Sequence, residues 1–267
     1  MCIMALPVRS VTNTRIFVGQ AAGTQLTVYE MAVTLATPGN AMILPAPATS
    51  ADQVGLIDMS EAPGFFDDAD KLFMPMTLGM SKGGRSRGVD FLKVHEVGNY
   101  QVSIAESLDD LDRVNPEVFT LSPDAKPTLG TYGDGFCFVV AQLKESGKFH
   151  ALAYTHPTAP DGKLFVPTKH EHGTKVARHP QLEGERADWD HHVYYQATAE
   201  YTDLPGSKNK SEVRSNANQY GMIARWAKMY AEKVPALAPF LDSAQASRIT
   251  RTRFYGKLRN IDLHLEA

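Results

Sequence analysis

Short segments rich in β-branched and aromatic residues recur along this chain, and Gly, Pro or Asn separates them. Residues 15–18 and 26–34 flank Gly23, and residues 91–97 and 100–106 flank a Gly-Asn pair. Short apolar runs bounded by such turn residues are typical of antiparallel strands and hairpins. The sequence therefore predicts an α+β fold, mainly antiparallel sheet built of hairpins and meanders.

The second half of the chain extends this pattern. Residues 136–143, 149–155 and 163–166 predict three strands of one antiparallel meander, and residues 191–201 predict a further strand. Residues 254–265 predict a closing strand.

Three further segments differ from this pattern. Residues 65–74 and the residues after Ser107 predict short helices, and Gly-rich residues 81–88 predict a mobile loop. Met222, Trp226, Met229 and Tyr230 recur at helical spacing, which predicts a C-terminal helical segment with an apolar core face.

Composition indicates one β-rich domain over residues 1–267, with a subdivision into a body, 1–205, and a basic segment, 206–267. A chain of 267 residues with 43% hydrophobic content can bury a sizeable core. Residues 208–267 hold 11 Lys/Arg against 5 Asp/Glu, a net +6, whereas residues 1–207 hold 16 against 25, a net −9. The basic segment either docks on the acidic body or a second subunit, or contacts nucleic acid, the less favoured partner.

No apolar run approaches the roughly 18 residues that a membrane-spanning helix needs, and the N-terminus lacks a basic, apolar signal pattern. These features predict a cytoplasmic protein without a membrane partner. Its two cysteines, Cys2 and Cys137, are too few for a disulfide framework. Cys137 lies in a continuous apolar run, which indicates a core position.

Histidines provide the first candidate site. His170 and His172 follow a predicted strand, and Asp190-His191 opens the next one. Side chains two apart share a strand face, so neighbouring strands could bring His170, His172 and His191 together, with Asp190 beside them. Three such ligands form the usual catalytic zinc or iron site, in which bound water is activated. The alternative is that these are surface or structural histidines of a polar loop.

Cys2 provides the second candidate. Removal of Met1 would give one residue both a thiol nucleophile and an α-amine that acts as its base. In its opening residues the chain resembles the N-terminal-nucleophile hydrolases that begin Met-Cys. The resemblance implies that Cys2 is the nucleophile and Arg15 a site arginine. Those enzymes pair the arginine with a nearby Asp, whereas the first Asp here is Asp52. The other reading of Cys2 is a small buried residue at a strand edge.

A wider resemblance covers most of residues 1–200. The opening Met-Cys-Ile, residues 40–45 (NAMILP), residues 167–172 (PTKHEH) and Asp190-His191 look like a family of uncharacterised bacterial proteins. That likeness implies no reaction.

Three hypotheses follow from the sequence. The first is a metal-dependent hydrolase with a histidine-cluster site, using zinc or iron on an unknown small-molecule or peptide substrate. The second is an N-terminal-nucleophile amide hydrolase that uses Cys2. The third is a non-enzymatic binding protein, or one that assembles into a homo-oligomer through its oppositely charged parts.

Overall fold

We analysed a computed structural model of the chain, which describes residues 3–37, 39–73, 95–97, 100–112, 120–172, 186–196, 220–241 and 249–265. The strands are β1 (Ile3–Met4), β2 (Val8–Ala21), β3 (Thr24–Leu35), β4 (Asn40–Pro47), β5 (Gly55–Ile57), β6 (His95–Val97), β7 (Tyr100–Ala105), β8 (Phe136–Leu143), β9 (Gly147–Lys148), β10 (Leu152–Pro157), β11 (Leu164–Val166), β12 (Arg186–Gln196), β13 (Ile249–Arg259) and β14 (Leu263–Leu265). The α-helices are α1 (Phe65–Lys71), α2 (Leu108–Leu111), α3 (Ala125–Leu129), α4 (Tyr220–Lys233) and α5 (Ala238–Leu241).

A seven-stranded sheet has the order β13-β12-β2-β3-β10-β5, with β9 added on β3. Its central hairpin, β2–β3, turns at Ala22 and Gly23, whose φ angles are 49° and 79°. Two consecutive positive φ angles are typical of the two-residue turns that match strand twist, and glycine adopts this conformation freely. The hairpin predicted around Gly23 is confirmed. β12 joins β2 in parallel, whereas the other pairings of this sheet are antiparallel.

A five-stranded antiparallel sheet has the order β1-β4-β8-β7-β6. β6 and β7 pair on either side of residues 98–99, as the Gly-Asn pair predicted. β11 and β14 form a separate two-stranded sheet. The predicted α+β class, mainly antiparallel, is therefore confirmed.

The meander predicted over residues 136–166 is wrong. β8 lies between β4 and β7, β10 lies between β3 and β5, and β11 pairs with β14. The three strands β8, β10 and β11 thus enter three different sheets. The physical reason is that apolar period-2 patterns fix which side of a strand is buried but carry no information about its partner.

Four layers result from this topology. One core cluster lies between the two large sheets and includes Ile16, Leu44 and Val139. A second core cluster lies between the outer face of the seven-stranded sheet and helices α1, α4 and α5. A third core cluster lies between the outer face of the five-stranded sheet and helices α2 and α3. Side chains alternate across each strand, so the two large sheets are buried on both faces.

The helices agree with their sequence signals. Ser107 caps α2, since its Oγ accepts a hydrogen bond from the backbone N–H of Asp110 at 3.2 Å. α1 begins at Phe65, as predicted. α4 buries Trp226 and Tyr230 as predicted, together with Ile223 and Ala227, whereas Met222 and Met229 are partly buried. None of the helices in the described ranges is long and apolar enough to cross a membrane.

The predicted loop at residues 81–88 lies outside the described residues. At the other end of the chain, two boundaries differ from prediction. β12 starts five residues before His191, and the closing segment divides into β13 and β14 around Asn260.

Candidate functional site

The segment that carries His170 and His172 is held by the loop between β13 and β14. Asp262 Oδ1 accepts hydrogen bonds from the backbone N–H groups of Thr168 and Lys169 at 2.9 and 2.8 Å. The Asn260 side chain bonds both the N–H and the C=O of His170, each at 2.8 Å. The backbone of this short extended segment is therefore fixed by side chains 90 to 94 residues away in sequence.

On its other side the same segment meets the beginning of the chain. Ile3 forms a parallel bridge with Glu171, and the Met4 N–H donates to the Glu171 carbonyl at 2.9 Å. The Val8 N–H donates to the His172 carbonyl at 3.1 Å. The N-terminal strand and the histidine segment thus form one hydrogen-bonded unit.

His191 comes from β12, where it is paired with Thr14 of β2. The register of β2 against β3 shifts between Thr12 and Arg15, and Asn13 has φ 53°. The Asp190 carboxylate accepts the Asn13 N–H at 2.9 Å and so fixes this bulge. Bulges of this kind redirect the side chains next to them.

The three predicted histidine rings lie together. The ring centroids of His170 and His172 are 5.1 Å apart, and those of His170 and His191 are 5.9 Å apart, with interplanar angles of 23° and 24°. They meet without the strand pairing assumed from sequence, because β11 pairs with β14 and not with β12. We call His170, His172 and His191 the histidine cluster.

Burial sets the protonation of this cluster. His191 is fully buried, His170 is 8% exposed, and His172 is half-buried. Burial lowers the pKa of His172 to about 4 and holds the pKa values of His170 and His191 well below the usual range. At neutral pH all three imidazoles are uncharged, which is the form that binds metal ions.

Hydrogen bonds restrict the ring nitrogens. His170 Nδ1 lies 3.3 Å from the Thr168 carbonyl. When Nδ1 donates its proton to that carbonyl, Nε2 carries no proton and can accept a hydrogen bond or bind a metal ion. His191 Nδ1 accepts the backbone N–H of Asp190 at 3.2 Å, which places a proton on its Nε2. His172 Nε2 is buried without a hydrogen-bond partner.

Two residues that the sequence did not single out complete the surroundings of the histidine cluster. Thr14 Oγ1 and Trp189 Nε1 are buried without a hydrogen-bond partner. The Trp189 ring lies 4.8 Å from that of His191 and 6.4 Å from that of His170. Trp189 and His191 are two apart on one strand, a spacing that could have indicated their shared face. No sequence signal indicated Thr14.

Among the described residues, no group of three or more His, Cys, Asp or Glu side chains is already arranged to hold a metal ion. For three nitrogens to face one ion, the stacked rings would have to turn, and His191 would have to give up the Asp190 N–H contact that now occupies its acceptor nitrogen.

Arg15, the predicted site arginine, lies away from the histidine cluster. Its side chain is on the opposite face of the sheet from Thr14, where it forms ion pairs with Glu30, with Asp67 at 2.7 Å and with Asp70 at 3.1 Å. Burial would lower the pKa of Arg15, but the charge of Glu30 and the hydrogen bond with it outweigh burial and raise that pKa. The Asp190 carboxylate accepts the Asn13 N–H, and the hydrogen bond between Asp190 and the His191 ring comes from the Asp190 backbone N–H.

Of the two cysteines, Cys2 lies outside the described residues, although its chain neighbour Ile3 borders the histidine segment. Cys137 is buried, and its Sγ lies 3.5 Å from the Ala48 carbonyl. Burial raises the pKa of Cys137 to about 11. A thiol with that pKa is a poor nucleophile, so Cys137 belongs to the core.

Part of the basic C-terminal segment docks on the acidic body, one of the two placements expected from charge. β13 is hydrogen-bonded to β12 along its length. Arg251 Nη1 donates to Asp70 Oδ1 at 2.9 Å, with the arginine side chain only 3% exposed.

No protein-family model matches this chain. Among solved structures, the crystal structure of baculovirus P35 is similar to it, with a TM-score of 0.50 and 11% sequence identity over 100% of this chain and 99% of that chain. At this identity the likeness concerns the fold alone. The resemblances to a bacterial family and to N-terminal-nucleophile hydrolases stay predictions.

Proposed function

We propose that the histidine cluster binds a zinc or iron ion and that the protein is a metal-dependent hydrolase. The observation that carries this proposal is the convergence of three neutral imidazoles, two buried and one half-buried, at a place where Thr14, Trp189 and His172 each bury an unpartnered polar atom. Buried polar groups in proteins usually have a hydrogen-bond partner, and an ion or a water molecule is that partner where no protein group serves.

The contact of His170 Nδ1 with the Thr168 carbonyl supports the same proposal. Metal-binding histidines commonly donate their second nitrogen to a backbone carbonyl, which orients the ring. A divalent ion held by three imidazoles keeps an open coordination position and activates water for hydrolysis. His172 is half-buried, so part of this residue is exposed to solvent, whereas its Nε2 is buried.

Zinc binding to chelator-treated protein tests the proposal. We expect one zinc ion per chain by elemental analysis and a raised melting temperature, because an ion that binds only the folded state stabilises it. His172→Gln and His170→Ala should abolish both effects. His192→Ala is the matched control, since His192 neighbours His191 but points to the opposite sheet face. Unchanged zinc content in both cluster variants, or no zinc in the wild type, would contradict the proposal.

A hydrolytic activity is tested next, with a panel of carboxylic esters and peptides. The proposal requires turnover that depends on added zinc and is lost in His170→Ala, while His192→Ala retains it. Zinc binding without any zinc-dependent turnover across that panel would reduce the proposal to metal binding.

The position of Ile3 favours a second candidate, in which Cys2 is an N-terminal nucleophile for amide hydrolysis. Ile3, the residue that follows Cys2 in the sequence, forms the bridge with Glu171 between His170 and His172. Neutral imidazoles nearby could accept the thiol proton. Intact mass tests the requirement for a free α-amine: full retention of Met1 excludes this mechanism.

A further inference from the structure

Strand β13 ends the seven-stranded sheet, and its second half lies at the surface. Within the described residues, β13 pairs with β12 alone. The first four residues of β13 are buried, whereas most of its last five, residues 255–259, are exposed. β2 pairs with β12 over residues 191–195, so residues 186–190 of β12 and 255–259 of β13 extend past β2 as a two-stranded ribbon. A ribbon of two strands is marginally stable in water, and a third strand would stabilise it.

Basic residues follow one face of this exposed half. The register of β12 against β13 is unbroken and side chains alternate along a strand, so four residues share this face. We call them the basic edge: Arg253, Tyr255, Lys257 and Arg259. Lys257 is register-paired with Asp188, whereas Arg259 is register-paired with Arg186. Like charges directly opposite each other destabilise a strand pair, so the end of the ribbon has a surplus of positive charge.

The backbone and the charge of the basic edge together define the kind of ligand. An edge strand presents N–H and C=O groups to which an extended peptide can hydrogen-bond. A second copy of β13 is a poor partner, because antiparallel pairing centred on Gly256 would place Arg253 of each strand opposite Arg259 of the other. An acidic strand has no such repulsion. The Tyr255 ring, which is 45% exposed and whose hydroxyl lies 2.9 Å from His192 Nε2, adds an apolar contact for that strand.

We propose that the basic edge binds an acidic, extended segment of a partner protein, which adds to β13 as a further strand. Backbone hydrogen bonds hold the segment, and Asp or Glu side chains at alternate positions meet Arg253, Lys257 and Arg259. Nucleic acid would use the cations and the Tyr255 ring but leave the strand edge unpaired, so the edge favours a peptide. The basic edge lies on the opposite face of the β12–β13 pair from His191, so this site is independent of the proposed metal site.

A fluorescein-labelled peptide as long as residues 253–259, in which glutamate alternates with threonine, tests the inference by fluorescence anisotropy. The wild type should bind this peptide with saturation. Lys257→Glu combined with Arg259→Glu should weaken binding about tenfold or more, because two attractive cross-strand pairs become repulsive. Lys144→Glu combined with Lys228→Glu is the matched control, since it changes the net charge equally at exposed residues outside β13.

Two N-methylated forms of the same peptide test the backbone hydrogen bonds separately from the charge. In an extended strand, alternate residues direct their N–H groups to the same edge. Methyl groups on one alternate set of amides therefore block one edge only. One methylated form should lose binding, and the form with the other set methylated should keep it.

The outcomes separate strand addition from attraction between charges alone. Weaker binding in the Lys257→Glu and Arg259→Glu variant but not in the control, with loss of binding in one methylated form, supports strand addition. Equal weakening in both double variants, the same effect of both methylated forms, or no binding of the peptide overturns it. Tighter binding of an oligothymidylate of equal charge also overturns it and identifies nucleic acid as the partner. Circular dichroism of each variant confirms folding before the titration.

Discussion

His156 shows at the level of one residue what burial does to an imidazole in this protein. Its side chain is fully buried on β10, Nδ1 lies 2.8 Å from the Pro157 carbonyl, and Nε2 has no hydrogen-bond partner. Burial lowers the pKa of His156 to about 4. The unfolded chain protonates the same imidazole near pH 6.5. Between pH 6.5 and 4 the unfolded state therefore binds more protons than the folded state, and stability falls as the pH falls.

His156→Phe should remove one part of this acid sensitivity. We expect the free energy of unfolding of the wild type to decrease by about 2 kcal/mol between pH 7 and pH 5 through His156 alone, because the unfolded state gains the proton. Urea unfolding at the two pH values measures it. The decrease should be smaller in His156→Phe, whereas His264→Gln, a change at an exposed histidine, should behave like the wild type. Equal decreases in all three proteins would rule out this role for His156.

At this scale the sequence predicted the candidate histidines but not their surroundings. His170, His172 and His191 were found because imidazoles two apart, or next to a carboxylate, are uncommon side chains with known chemistry. Thr14 and Trp189 were missed because threonine and tryptophan are ordinary strand residues. Only the pairing of β2 with β12, which joins distant segments, places Thr14 beside His191.

Helix α1 shows how one element is attached to a sheet. Its Asp70 accepts hydrogen bonds from Tyr194 at 2.5 Å, from Arg251 at 2.9 Å and from Arg15 at 3.1 Å. Burial would raise the pKa of Asp70, but hydrogen bonds with His192 and Tyr194 and the charges of His192 and Arg15 outweigh it and hold the pKa well below its usual value. Three strands, β2, β12 and β13, thus bind one carboxylate of the helix.

Asp70→Asn should destabilise the protein by about 3 kcal/mol, because it leaves the buried Arg251 guanidinium without its counter-charge. Asp67→Asn, on the same helix, should cost less than about 1 kcal/mol, because the Asp67 side chain is 53% exposed and its ion pairs are screened by solvent. Chemical denaturation of the two variants measures the difference. Equal losses in both variants would show that Asp70 does not anchor α1 as described.

The sequence predicted the secondary-structure elements better than it predicted which elements contact one another. The hairpin around Gly23, helix α1 and helix α4 each carry a local signal: turn residues, a short apolar run, or helical spacing. The Arg15–Asp70 contact joins residues 55 apart, and Arg251–Asp70 joins residues 181 apart. No local pattern specifies such contacts, and for the same reason the partners of β8, β10 and β11 could not be read from sequence.

On the scale of the whole molecule, the histidine cluster is assembled from both ends of the chain. β1 and the Asn260–Asp262 loop hold the segment with His170 and His172 from two sides, while β12 brings His191 across from the seven-stranded sheet. A metal ion bound there would connect parts of the chain that no local structure joins. The sequence indicated which residues could meet, and the fold supplies the reason that they do.

X-ray absorption spectroscopy at the zinc edge tests this account most directly, because it counts the imidazoles around the ion. We expect three nitrogen ligands at about 2.0–2.1 Å with the outer-shell scattering of imidazole rings in the zinc-loaded wild type, and fewer in His172→Gln. His192→Ala should leave the spectrum unchanged. A zinc ion surrounded mainly by oxygen ligands, with the same spectrum in wild type and His172→Gln, would contradict a metal site at the histidine cluster.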